Sequence, residues 1–84
     1  MLSAAAYYEA QARGLGKDFL QKIDVAIQDL APHPERWPIV LSQVRRRLVH
    51  RFPYGVFYHC DPDEIVILAV ADLRRRPNYW VGRL

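Results

Sequence analysis

Pro32, Pro34 and Pro38 divide this chain, because each lacks the backbone N–H that a helix interior or a central strand needs. No regular element runs from residue 32 to residue 38 without a break. The two sides of that break have different periods. On the N-terminal side Phe19, Leu20, Ile23, Ala26, Ile27 and Leu30 recur at helical spacing, with Lys22, Asp24, Gln28 and Asp29 on the opposite face. That pattern predicts an amphipathic helix of about four turns. Ahead of it, Ser3 is placed to cap a helix from Ala4 to Arg13, and Gly14 ends that helix. Gly14-Leu15-Gly16 then acts as a tight connector, so the two helices are expected to form an antiparallel hairpin with Leu15 beneath it.

Beyond the break, His33 to Ser42 reads as a loop anchored on the core by Trp37. Three runs rich in β-branched and aromatic residues follow, Val44 to Phe52, Tyr54 to Cys60 and Ile65 to Ala71. Pro53 and Asp61-Pro62-Asp63 separate them, and separators so short require hairpins. The fold class expected is α+β, an N-terminal helical hairpin packed on a three-stranded antiparallel β-meander. Ile65 to Ala71 is apolar at every position, which marks it as the central, most buried strand.

With 84 residues there is room for one domain, residues 1–84, and one core. At 51% hydrophobic and 25% charged, the composition excludes a disordered chain. Cys60 is the only cysteine, so no internal disulfide is available and a reducing cytoplasm is expected. No leader-like start is visible and no apolar run approaches the roughly 20 residues that span a bilayer, so no membrane role is expected.

The net charge of +3 is unevenly spread: residues 1–44 carry four basic and five acidic side chains, residues 45–84 eight and four. Ten of the twelve basic residues are Arg, the side chain suited to forked contacts with phosphate or carboxylate. Arg45, Arg47, Val49 and Arg51 share one face of the first predicted strand, and Val44, Arg46, Leu48 and His50 the other. Arg74-Arg75-Arg76 leaves the last strand, so the two arginine triplets are expected to approach each other. Phe52, Tyr54, Tyr79 and Trp80 lie among them, and such mixtures bind nucleic acid or a partner's amphipathic segment.

His50 and His59, both expected on strands, titrate near neutrality when unperturbed and are acid–base candidates. His59-Cys60-Asp61 cannot converge on a metal from one strand, and no second Cys/His pair exists, so neither metal nor cofactor is expected. Cys60 has no sequence-adjacent base on its own sheet face, which argues against a thiol nucleophile. Gly14-Leu15-Gly16 lacks the third glycine and the preceding strand of a phosphate-cradling loop. Asp72, the lone acid of the basic loop, is expected to pair with Arg74 or Arg75.

The order of several short motifs resembles the RelE/ParE family of plasmid-stabilisation toxins. They are Tyr7-Tyr8-Glu9, Gly14-Leu15-Gly16, Pro34-Glu35 with Trp37-Pro38, Arg51-Phe52-Pro53-Tyr54, Leu68-Ala69-Val70, Arg74-Arg75-Arg76-Pro77, Tyr79-Trp80 and Arg83. The resemblance implies two helices on a twisted antiparallel sheet and a cognate antitoxin that wraps the toxin and neutralises it. Members like ParE poison DNA gyrase; members like RelE cleave mRNA in the ribosomal A site. Three departures stand out. The strand that usually precedes the first helix is missing, which predicts an exposed sheet edge open to a second copy or to an antitoxin strand. Gly55 stands where RelE-type nucleases place an arginine, and Asp72 where related sequences often carry histidine.

A ParE-like growth inhibitor is therefore expected, with Arg45, Arg46, Arg51, Arg74, Arg75, Arg76 and Trp80 contacting partners. An antitoxin segment is expected to cover Arg45, Arg46 and Arg51. The runner-up is a RelE-like endoribonuclease in which Arg46, Arg75 and Arg83 stabilise negative charge while Tyr79 or His50 moves protons. A third reading is an inactive remnant that only binds antitoxin.

Overall fold

A computed structural model describes residues 1–83, without the side chain of Arg83. Helices α1 (Leu2–Gln11) and α2 (Leu15–Gln28) are followed by strands β1 (Ile39–Leu41), β2 (Val44–Leu48), β3 (Tyr54–Cys60) and β4 (Ile65–Asp72), and a short 3-10 turn at Val81–Arg83. The α+β hairpin-on-sheet architecture is the one expected, with one more strand. The strands form a single antiparallel sheet in the order β1-β2-β3-β4.

Gly14 adopts φ of 84°, a left-handed conformation that costs glycine little. The carboxylate of Glu9 reaches over this turn and accepts the backbone N–H of Gly14 (2.9 and 3.1 Å) and of Gly16 (3.0 Å). An anion thus occupies the amide-rich start of α2, where the helix dipole favours it. A Cβ on Gly16 would sit 2.4 Å from the carbonyl oxygen of Ala5, so the helices approach at a contact only glycine permits. The expected Ser3 cap is not formed: α1 begins two residues earlier, at Leu2, Met1 is the N-cap, and no side chain caps it. Nothing between Leu2 and Ala6 opposes an earlier start. Leu15, expected in the connector, is the first residue of α2.

Four strands replace the expected three because Ile39–Leu41, placed within the 33–42 loop by its prolines, lies beyond Pro38 and pairs with β2. The expected strand from Val44 to Phe52 stops at Leu48, and His50 falls in the turn before β3 rather than on a strand. In that turn Val49 N–H donates to the Tyr54 carbonyl (2.8 Å), and Arg51 takes φ of 74°. The most buried strand is β3, not β4 as its composition suggested. Tyr54 to Tyr58 are all buried, whereas β4 lies at the end of the strand order and is mostly half-buried.

The main core lies between the helices and one sheet face. Tyr8, Phe19, Ile23, Ala26 and Leu30 meet Val49, Phe52, Tyr54, Val56 and Tyr58 there. Phe19 is its hub, with ring centroids 5.0 Å from Tyr8, 5.2 Å from Phe52 and 4.9 Å from Tyr54. Such ring pairs contribute roughly 0.5–1.5 kcal/mol each beyond burial. A smaller cluster around Phe57, Ala71 and Trp80 covers part of the opposite, helix-free face. Among the described residues no helix is long and apolar enough to cross a membrane.

Candidate functional site

Strand alternation sorts the arginines of β2. Arg45 lies across from Tyr58 and Arg47 from Val56, so both turn to the helix side; Arg46 lies across from Phe57 and turns to the open side.

The helix-side arginines have partners within the molecule, although the buried Nε of Arg47 takes no acceptor among the described residues. Arg45 Nη1 donates to the carbonyl oxygens of Trp37 (2.6 Å) and Glu35 (3.1 Å), pinning the proline-rich loop to the sheet. Arg47 pairs with Asp29 at the end of α2 (2.7 Å), donates to the Leu48 carbonyl and lies over the Trp37 ring. Arg51 pairs with Asp18 in the first turn of α2. Asp18 also holds Lys22 at 2.8 Å, and these cations, Lys22 first, keep its carboxyl below the usual carboxylate range.

On the open side a cavity of about 260 Å³ forms where β2, β3 and the end of β4 meet the segment after β4. Arg46, Arg75, Arg76, Tyr79 and Trp80, drawn from distant parts of the sequence, all line it. Trp80 is buried and stacks on Phe57, centroids 4.8 Å apart, so it forms the floor rather than an exposed contact. The aliphatic stem of Arg46 lies over Gly55, where an added Cβ would come within 3.1 Å of Cγ and 3.2 Å of Cδ. Gly55 therefore seats Arg46. Arg75 stacks its guanidinium 3.9 Å above the Tyr79 ring, and the Tyr79 hydroxyl accepts the Asp72 N–H (3.1 Å).

Asp72 pairs with Arg74 as expected, through Nε (3.0 Å) and Nη2 (2.9 Å), and it also accepts the Arg74 backbone N–H (2.9 Å). This fork holds the Asp72 carboxyl well below the usual range and the Arg74 guanidinium above its own. Arg74 is thereby consumed. Arg46, Arg75 and Arg76 enter no ion pair among the described residues, and the buried Arg46 Nε and Trp80 Nε1 have no hydrogen-bond acceptor there. The cavity is rich in donors and poor in acceptors, the environment of an anionic or carbonyl-rich partner.

Other candidates lie elsewhere. His50 is exposed in the β2–β3 turn, and His59 pairs with Asp61 (3.0 Å) at the far end of β3; neither lines the cavity. Arg45 and Arg51 face the helices, and the side chain of Arg83 lies outside the described residues. The roles of Glu9 and Gly55 were not among those expected from the sequence. An isolated glycine inside a strand pattern signals a close approach, and that signal was present at Gly55.

A family model described as the ParE toxin of the type II toxin–antitoxin system, parDE, matches residues 2–77. No curated protein and no solved structure matches. The match takes in both helices, all four strands and the arginine loop that closes the cavity, so the chain belongs to the ParE toxin family of type II toxin–antitoxin systems.

Proposed function

We propose that the chain inhibits growth by binding DNA gyrase through the open face of its sheet, in the cytoplasm, and that a cognate antitoxin neutralises it. Membership of the ParE family supports the target class. The observation that carries the mode of action is the makeup of the cavity among the described residues: three guanidiniums without an ion pair, an aromatic floor and no histidine. Among the described residues its one carboxylate, Asp72, is ionised and forked onto Arg74, so it has no proton to give near neutral pH. Such a surface suits binding better than bond cleavage. The excess of arginine equally suits an acidic antitoxin segment.

One observation favours a second reading, ribosome-dependent mRNA cleavage: Arg46, Arg75 and Tyr79 gather in one cavity, as that chemistry would need. Two assays separate the readings. Purified chain is expected to inhibit plasmid supercoiling by gyrase and to leave mRNA on translating ribosomes intact. Codon-specific cuts that vanish on Tyr79→Phe or Arg75→Ala would reverse the choice. Antitoxin binding with no effect in either assay would identify an inactive remnant.

A further inference from the structure

The sheet ends on two strands of different kinds. β1 has only three residues, which makes it a poor template for another strand. β4 has eight residues, and from Ile65 to Ala71 it carries no charge, proline or glycine. Among the described residues no strand lies beyond it.

Which backbone groups face outward follows from the ladder. Asp61 N–H donates to the Glu64 carbonyl (2.8 Å), so those two residues form a hydrogen-bonded pair. Antiparallel alternation then turns the amides of Ile65 and Ile67 away from β3. Leu68 is the extra residue of a bulge opposite Phe57 and Tyr58. Past it, Leu73 N–H donates to the Pro53 carbonyl (2.8 Å), which turns the amides of Val70 and Asp72 outward. The Tyr79 hydroxyl already takes the Asp72 amide, so the open stretch runs from Ile65 to Val70. Ile67, in the middle of that stretch, is 41% exposed.

The two ends of β4 have opposite charge. Asp61, Asp63 and Glu64 precede it; Arg74, Arg75 and Arg76 follow it. A strand with this polarity is complementary to itself when reversed. We propose that β4 pairs antiparallel, edge to edge, with β4 of a second copy about a two-fold axis, joining two four-stranded sheets into one. Each acidic turn then lies beside the other copy's arginine loop, at both ends of the interface. A parallel arrangement would set acid against acid and arginine against arginine. Arg74 is tied to Asp72, which leaves Arg75 and Arg76 to meet the acidic turn.

Sedimentation equilibrium from micromolar to millimolar protein tests this. The chain is expected to dimerise reversibly, and Ile67→Lys, which sets a charge on the edge, to leave it monomeric. Two charge-reversed proteins, Asp63→Lys with Glu64→Lys, and Arg75→Glu with Arg76→Glu, are each expected to weaken self-association about tenfold or more. Mixed one to one they are expected to form a heterodimer as tight as the original, because every contact is again between opposite charges. Recovery on mixing also shows that both variants fold. A monomer at all concentrations, a dimer indifferent to Ile67→Lys, or folded variants that fail to rescue each other would overturn the proposal. So would a monomer whose β4 amides gain protection from exchange only with a partner protein, since the edge would then take a foreign strand.

Discussion

Arg45 and Arg46 are adjacent in the chain, yet they serve opposite faces of the sheet. Arg45 reaches two loop carbonyls on the helix side; Arg46 lies over Gly55 and lines the open-face cavity without an ion pair among the described residues. The same division holds for the whole sheet. Its helix-side face is covered by an aromatic core, and its arginines pair with Asp18 and Asp29 of α2 or with loop carbonyls. Its open face has a small cluster and, among the described residues, three guanidiniums without an ion pair. An arginine held by a carboxylate or a carbonyl within the molecule supports the fold, whereas one at a cavity with no ion pair among the described residues is open to a partner. The helix-side face should therefore respond to mutation in stability and the open face in activity.

The largest effect expected is on the helix side. Phe19→Ala removes a fully buried ring that touches three others and is expected to cost about 3–5 kcal/mol in urea denaturation. Phe57→Ala, in the smaller cluster, is expected to cost less. Equal losses would erase the distinction between the faces. Next comes Gly16→Val, which drives a side chain into the Ala5 carbonyl and is expected to cost about 1–3 kcal/mol. Glu9→Gln weakens the cap on Gly14 and Gly16 and is expected to cost about 1 kcal/mol. A neutral result there would mean that the turn is held by Gly14 and by packing alone.

Acid unfolding sharpens the comparison with a smaller effect. Asp18 on the helix side and Asp72 on the open side both have folded-state carboxyl groups held below the usual carboxylate range, through Lys22 and Arg74 respectively. A depressed folded pKa means the unfolded chain binds protons first. The stabilisation is thus complete above the unfolded value and lost as pH falls from there through the folded value. Asp72→Asn and Asp18→Asn are each expected to flatten the decline in stability below about pH 4. An unchanged acid limb in either would show that its ion pair is screened by solvent.

Much of this division was legible in the sequence. The period of 3.6 from Phe19 to Leu30 gave α2, and the β-branched runs placed β3 and β4 almost to the residue. The short separators gave the meander order. Ile39–Leu41 was not legible as a strand because its three residues follow a proline cluster and pair only by virtue of lying beside β2. The apolar run of β4 suggested a central position, but composition reports only that a strand is apolar and not which neighbours it has; the sheet order put β3 there. Alternation correctly split Arg45 and Arg47 from Arg46. Which face would be covered depends on where the helices pack, a tertiary fact. His50 and His59 were plausible proton carriers by residue type and are excluded from the cavity by position alone.

The effect expected to be smallest in stability is also the most informative. Arg46→Ala, Arg75→Ala and Arg76→Ala remove charges that form no ion pair among the described residues, with the packing of Arg46 over Gly55 and of Arg75 on Tyr79, so each is expected to cost about 1 kcal/mol or less. Growth arrest on induced expression of the triple variant, read beside its urea unfolding curve, tests the division of the two faces most directly. A protein that unfolds like the original but no longer arrests growth is the predicted result. Undiminished arrest by the folded triple variant would contradict it and would remove the open face from the toxin's action.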